Sequence, residues 1–277
     1  MSDTEYVAKS NRLIEAKHRL SLNEQRVILM AVAKIERTQR LGDNLWFSIS
    51  VDEFAETARV RRDSAYVAIR EAVDKLWRRE VTINGRPNGE SRPGDCTTVR
   101  WIQGKHYRAG EGVVEIELGT TLAPYIVELQ REFKPYRLEY VAPMKSRYGP
   151  RLYELLMQWR SKKTRTVSVE WVRETWGVSH TRTDNLRRRV IRPAVEDVNR
   201  WSDLHVEAEF VRTGRQITHI RFAFESQRDA AVREAERREQ ERREREQAAT
   251  AARIDGLRQA AVGGGDKRRK PQVAESG

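Results

Sequence analysis

The segment from Arg182 to Arg192, RTDNLRRRVIR, contains five arginines and one acidic residue. Arginine presents its N–H donors in a planar fork, which matches guanine O6 and N7 or a pair of phosphate oxygens. If Leu186 and Val190 face a core, helical spacing turns Arg188 and Arg192 away from that core. The segment therefore predicts an arginine surface that contacts DNA. The alternative is a solvated helix face with ion pairs inside the helix.

Three further basic groups extend this candidate surface. Arg212 and Arg215 flank a predicted β-turn, Arg61 and Arg62 precede an earlier helix, and residues 162–165 form a basic loop, KKTR. The earlier helix also carries acidic residues, so we expect it to contact DNA more weakly; a solubilising surface or a subunit contact is the alternative there. The predicted DNA-contacting residues are Arg182, Asn185, Arg187, Arg188, Arg189, Arg192, Arg212, Arg215, Arg61, Arg62, Ser64, Tyr66 and Arg70.

Motifs for catalysis are not found. Gly104-Lys105 lacks the upstream glycine and the following hydroxyl residue of a phosphate-binding loop, and His205-Val206 is followed by Glu207 rather than a second histidine. The histidines have no metal-ligand spacing. They are His18, His106, His180, His205 and His219. We therefore expect a binding protein and not an enzyme, with no catalytic residue, no metal and no cofactor.

The composition favours a polyanionic partner. The formal net charge is +12, the sequence pI is about 10.0, and charged residues make up 34% of the chain. Such a balance suits DNA, RNA or an anionic membrane surface. Cys96 is the only cysteine, no apolar run is long enough to span a bilayer, and the first residues lack the apolar stretch of a secretory signal. We expect a soluble, cytoplasmic protein with no membrane partner.

The first half of the chain has the pattern of a helix-turn-helix followed by strands. Ser21 and Glu24 have the spacing of a capping box, which predicts a helix over 21–36. Ser50 and Glu53 repeat that spacing. The expected elements are a short strand at 46–51, a helix ending near 58, a longer helix over 63–76, a loop over 84–94, and strands at 97–103 and 113–118.

The second half repeats this order. A helix over 151–161, a short helix over 169–176 and a longer helix from about 183 to 198 are predicted from apolar spacing. Pro193 removes one backbone donor, so we expect a kink in the longer helix. Alternating apolar residues on either side of the turn 213–215 then predict a β-hairpin.

These patterns predict an α+β fold with two tandem winged-helix domains and a charged tail. We place the N-terminal domain at 5–135 and the C-terminal domain at 143–225. Residues 119–130 are expected to form a connecting helix, which a linker follows. In the tail, 226–277, Glu234 and Arg238 and also Glu239 and Arg243 lie four residues apart, which supports a solvated helix. The last residues, 263–277, are expected to be disordered.

Four stretches together resemble the iteron-binding plasmid replication initiator proteins, in the order found in that family. The likeness covers about residues 5–225. The stretches are VAKSNRLIEA at 7–16 followed by LSLNEQRVIL at 20–29, the run from 148 to 159 that contains RLYELL, LRRRVIRPAVEDVN at 186–199, and GRQITHIRF at 214–222.

The resemblance implies a protein that binds direct repeats, the iterons, at a plasmid origin. Members of the family bind iterons as monomers through both domains, with the second domain dominating in the major groove. Dimers form through the first domain and repress the initiator's own promoter in some systems. The monomer recruits a host initiator and a helicase. By this resemblance the main contacts fall on Arg187, Arg188 and Arg189, and the helix of residues 64–75 is the second recognition helix.

Two other functions fit the same patterns. A dimeric winged-helix transcriptional repressor would use the same folds on an inverted repeat. An RNA-binding protein would account for the high pI and for the Glu/Arg-rich tail, which the shared core of the family does not include.

Overall fold

A computed structural model of the protein describes residues 5–35, 45–86, 92, 94–108, 110–126, 135–179 and 182–263. The chain divides into two compact units, Met1–Gln227 and Arg228–Gly277. The first unit contains both predicted winged helices, so the predicted fold class is confirmed.

The first winged helix begins with a two-residue strand, a short helix and a largely buried helix. Its elements are β1 (Tyr6–Val7), α1 (Asn11–Ile14), α2 (Leu22–Ala33), β2 (Trp46–Ser50), α3 (Val51–Ala58), α4 (Arg62–Leu76), β3 (Glu80–Asn84), β4 (Cys96–Arg100), β5 (Ile102–Arg108) and β6 (Val113–Leu118). Strands β2, β6 and β5 form one antiparallel sheet, and β3 pairs with β4.

Both predicted capping boxes are present. The Ser50 hydroxyl accepts a hydrogen bond from the Glu53 backbone N–H at 3.0 Å, and the Glu53 carboxylate accepts one from the Ser50 N–H. Ser21 and Glu24 make the same reciprocal contacts at the start of α2. These caps supply partners for backbone donors that the first helical turn leaves open. Helix α3 ends at Arg59, whose φ of 53° is left-handed.

Two predictions in the first half were wrong. The expected strand over 97–103 is interrupted at Trp101, which separates β4 from β5 in a different sheet. Trp101 is 2% exposed, and its backbone N–H donates to the Arg79 carbonyl. Because β4 pairs with β3, a strand that sequence patterns did not indicate, the break depends on tertiary pairing. The expected loop 84–94 begins one residue late, since Asn84 ends β3, and its positions 87–91 and 93 lie outside the described residues.

The expected connecting helix over 119–130 is also wrong in the part that is described. Only a single 3₁₀ turn, Ala123–Tyr125, forms there, and residues 127–130 lie outside the described part. Pro124 has no backbone N–H to extend a hydrogen-bond ladder. Strand β7 (Tyr136–Arg137) pairs with β1, and a second 3₁₀ turn, Leu138–Tyr140, leads towards the second winged helix.

The second winged helix repeats the order of helices and hairpin. Its elements are α5 (Gly149–Gln158), β8 (Thr164–Ser168), α6 (Val169–Thr175), α7 (Thr183–Leu186), a π-helical turn (Arg187–Ile191), α8 (Arg192–Trp201), β9 (Leu204–Thr213) and β10 (Gln216–Ser226). The sheet order is β8–β10–β9, all antiparallel. The predicted irregularity near Pro193 takes the form of the π-helical turn, because a wider turn accommodates the missing donor and the proline ring.

The charged helix α9 begins at Gln227, the last residue of the first unit, and continues within the second unit to Gly263. The predicted pairs form: Arg238 lies 2.9 Å from Glu234, and Arg243 lies 3.0 Å from Glu239. A helix that is polar all round and carries many such pairs can be stable without packing against a core. Residues 264–277, where we expected disorder, lie outside the described residues. None of the described helices has the length and apolar character needed to cross a membrane.

The capping box of α3 gives a stability prediction. Replacing Ser50 by alanine (Ser50→Ala) is expected to lower the free energy of unfolding by about 0.5–2 kcal/mol, because the Glu53 N–H loses its acceptor. Urea unfolding measures this. Ser64→Ala, at an exposed position of α4, is the matched control and should change stability by less than about 0.5 kcal/mol. Equal effects of the two substitutions would contradict the capping role.

The ion pairs of α9 give a pH prediction. Hydrogen bonds from Arg237 and Arg238 lower the pKa of Glu234 from 4.5 to about 2. A lowered carboxyl pKa means that the pair stabilises the helix above pH 4.5 and that this effect is lost as the pH falls towards 2.

Far-UV circular dichroism of the wild type and of Glu234→Gln measures this effect. The variant should be less helical at pH 7, and the difference should disappear near pH 2. Glu236→Gln changes the net charge equally and should leave a smaller difference at pH 7, because no ion pair of Glu236 is found among the described residues. A difference that persists unchanged at pH 2 would contradict the pairing.

Candidate nucleic-acid interface

The recognition segment, which we define as α7, the π-helical turn and α8, separates apolar from basic side chains. Leu186 and Val190 are fully buried, and Arg188 and Arg189 are exposed. The predicted inward and outward directions of this segment are therefore confirmed. Ile191 is buried beside Val190; two adjacent residues can both face the core here because the π turn winds more slowly than an α-helix.

The arginines of the recognition segment differ in their partners. Arg192 Nε lies 2.8 Å from Glu196 Oε1, so Asp184 is not the only acid near this surface, and Arg192 is better compensated than the sequence suggested. The Arg187 guanidinium stacks on the Phe210 ring, with 5.4 Å to the centroid. Arg188 and Arg189 make no ion pair with any of the described residues. Arg187 also lacks an ion pair with the described residues, so Arg187, Arg188 and Arg189 together carry uncompensated charge.

The β9–β10 hairpin presents the predicted wing arginines. Arg212 and Arg215 are exposed on either side of Gly214, whose φ of 61° allows the tight turn. Phe210, on the same hairpin, lies beneath Arg187 and so joins the wing to the recognition segment. Sequence patterns assigned Phe210 only to the alternation of β9 and did not indicate this contact. A winged helix that binds DNA places such a wing near the phosphate backbone, and the exposed arginines suit that position.

Helix α4 carries the candidate residues of the first winged helix. Ser64, Tyr66 and Arg70 are exposed, as are Arg61 and Arg62 before and at its start. The acidic residues on this surface are neutralised locally. The pairs are Arg61 with Asp63, Arg62 with Asp52, Lys75 with Glu71, and Lys105 with Asp74.

Asp74 is one example of an acidic residue that a neighbouring cation neutralises. The Lys105 hydrogen bond is the main cause that lowers the pKa of Asp74, with a further contribution from the Tyr107 hydroxyl. The Arg70 guanidinium lies 5.8 Å from the Tyr107 ring centroid. The surface of α4 is therefore close to neutral, in contrast with the recognition segment of the second winged helix.

The structure corrects the prediction that residues 162–165 form a basic loop. Arg165 belongs to β8, its guanidinium lies 4.6 Å from the Trp159 ring centroid, and its Nη2 lies 3.0 Å from Glu15 Oε1. Its side chain is only 19% exposed. Arg165 therefore joins the second winged helix to the first and is not available as a free loop cation. Within the described residues, no three His, Cys, Asp or Glu side chains are grouped closely enough to hold a metal ion.

The fold and this surface define a DNA-binding protein with two winged helices in tandem. The family model "Initiator Replication protein, WH1" matches residues 6–157, and "Initiator Rep protein, WH2" matches residues 168–224. Together these matches cover most of the chain. The chain therefore belongs to the family of initiator replication proteins, as the resemblance implied.

Individual relatives are more distant. The chain is 26% identical over 211 residues to an uncharacterized 27.6 kDa protein of Escherichia coli, covering 72% of this chain and 86% of the relative. It is 24% identical over 232 residues to a replication initiation protein of Escherichia coli, covering 80% and 70%. A crystal structure of Pi initiator protein in complex with iteron DNA has the same fold, with a TM-score of 0.66, 19% identity, and coverage of 81% of this chain and 98% of that chain.

The uncompensated charge gives a binding prediction. Arg188→Ala is expected to weaken specific DNA binding by about 1–3 kcal/mol if the guanidinium contacts a base edge. Arg192→Ala is the matched control on the same surface and should cost less, because Glu196 already pairs with Arg192. Fluorescence anisotropy with specific and unrelated duplexes at several salt concentrations measures both. An unchanged sequence preference with a shallower salt dependence would instead make Arg188 a phosphate contact.

Proposed function

We propose that this protein initiates plasmid replication by sequence-specific binding of directly repeated sites, the iterons, at the origin. Membership of the initiator replication family across both winged helices is the observation that carries this proposal. A relative of the chain is named a replication initiation protein, and a structural neighbour was crystallised with iteron DNA.

The second winged helix is the main DNA-binding element in this proposal. The recognition segment enters the major groove, and Arg188 and Arg189 are its main contacts. These arginines can bind DNA without first breaking an ion pair within the protein. Arg212 and Arg215 contact phosphates from the wing. These phosphate contacts position the protein, and the base contacts supply sequence preference.

The first winged helix makes secondary contacts. Its candidate residues Ser64, Tyr66 and Arg70 are exposed on a nearly neutral helix, which suits a smaller share of the binding energy. We place its boundaries at 5–135 and those of the second domain at 143–225. By the family's pattern, the first domain also forms a homodimer that represses the initiator's own promoter, in equilibrium with the monomer.

Replication initiation itself follows from binding. In this proposal the monomer acts in the cytoplasm, without a catalytic residue, metal or cofactor of its own, and recruits a host initiator and a helicase. Arginine-rich contacts with several repeats concentrate the protein at one site on the plasmid, where the recruited partners then act.

A footprint on the plasmid origin tests the proposal. Protection of several evenly spaced repeats in one orientation is expected. A single inverted repeat, with no protected direct repeats, would overturn it and favour a dimeric transcriptional repressor. Competition with RNA separates the other alternative: equal affinity for RNA hairpins and for the protected DNA would contradict the proposal and favour an RNA-binding protein.

A further inference from the structure

Two buried arginines connect the winged helices. Arg26 of α2 donates from Nε to the Ala142 carbonyl and from Nη2 to the Met144 carbonyl, both at 2.8 Å, in the segment that leads into α5. Arg151 of α5 donates back to the first winged helix. Both side chains belong to residues that are 6% exposed or less. The hydrogen bonds that cross between the two winged helices end on backbone carbonyls, so they hold the main chains in one arrangement.

Arg151 donates two hydrogen bonds to the first winged helix and lies beside a buried ion pair. Its Nη1 lies 3.0 Å from the His18 carbonyl and its Nη2 lies 2.7 Å from the Ala16 carbonyl. Beside it, Lys9 of the first winged helix pairs with Glu154 of α5 at 2.7 Å, and both side chains are at most 8% exposed. Removing one partner of such a pair is strongly destabilising, because the other charge then stays unpaired in the interior.

A third contact joins the two helix-turn-helix units at the DNA-binding elements themselves. The Arg59 guanidinium, in the turn between α3 and α4, lies 4.9 Å from the ring centroid of Trp201, the last residue of α8. Arg200 lies 5.0 Å from the same ring. The turn before one recognition helix is therefore attached to the end of the other. Sequence patterns did not single out Arg59 or Trp201.

We propose that Arg59 and Trp201, supported by Arg26 and Arg151, are positioning residues that fix the spacing at which the two winged helices contact one DNA site. This inference rests on the proposed function. B-DNA has about 10.5 base pairs per turn, so inserting two base pairs rotates one contact site relative to the other by about 70°. A rigid pair of domains cannot follow that rotation, whereas domains on a flexible tether can.

Spacer insertions test the proposal. The probe is a duplex with one protected repeat from the origin footprint, either uninterrupted or with two base pairs inserted between the two contacted segments. Wild-type protein is expected to bind the interrupted duplex at least about tenfold more weakly. The double variant Arg59→Asn, Trp201→Leu should reduce that penalty by about two- to fivefold, the share expected of one exposed cation–π contact, because Arg26 and Arg151 still join the two winged helices. Asparagine is chosen because it tolerates the left-handed backbone of Arg59.

Arg61→Asn is the matched control in the same turn. Its side chain is 87% exposed and pairs with Asp63 of α4. It should retain the full wild-type penalty for insertion, even where it weakens binding to both duplexes. A wild-type penalty below threefold would overturn the proposal. So would a double variant that loses affinity but keeps the penalty, since Arg59 would then be a phosphate contact.

A measurement on the free protein separates this inference from the proposed function. Nitroxide labels on exposed Cys96 and on a cysteine replacing Thr213 report the distance between the first winged helix and the wing. At a dilution at which sedimentation shows only monomer, the labelled protein that is otherwise wild type should give one narrow distance distribution by pulsed electron paramagnetic resonance, and the double variant a broader one. A broad wild-type distribution would overturn the inference whether or not the protein binds DNA. Failure to bind any origin duplex would instead overturn the proposed function.

Discussion

A guanidinium group that is removed from water needs hydrogen-bond acceptors within the protein, and this constraint determines how the two winged helices are joined. Burial lowers the pKa of Arg26 to about 10 and that of Arg151 to about 9, because the interior solvates these charges poorly. Each buried guanidinium is stabilised because backbone carbonyls of the neighbouring segment accept hydrogen bonds from its N–H groups. Displacing one winged helix would leave these donors unpaired, so the arrangement of both domains depends on them.

The same balance of burial and charge shapes the recognition segment. Leu186 and Val190 fill the core of the second winged helix, and the arginines between them have no space inside. The π-helical turn before Pro193 also brings Ile191 into that core. Apolar burial thus sets the direction of Arg188 and Arg189, and no separate interaction is needed to point them outwards.

Local signals in the sequence predicted local structure. The capping boxes at Ser21 and Ser50 marked helix starts correctly because both partners lie within four residues of each other. The alternation in β9 and β10 likewise predicted a hairpin, and Leu186 predicted the buried side of the recognition segment. Charge pairs in α9 were predictable for the same reason: residues four apart on a helix are neighbours whatever surrounds them.

Features that depend on distant parts of the chain were not predictable in this way. Strand β3 exists because it pairs with β4, and Arg165 is withdrawn from the surface by Glu15, which is 150 residues away. The contact of Arg59 with Trp201 requires both domains to be folded and joined. Spacing within one element carries no information about such pairs. The candidate surface could therefore be outlined from the sequence, but the ion pairs of its arginines and the contacts between the winged helices could not.

In the proposed function the protein recognises a DNA sequence and does not merely bind a polyanion. The most direct measurement is the ratio of dissociation constants for an origin duplex and for a duplex of the same length and composition with scrambled sequence, at about 0.15 M salt. Sequence-specific recognition predicts a ratio of at least about 10³ in favour of the origin duplex. A ratio near one would contradict it.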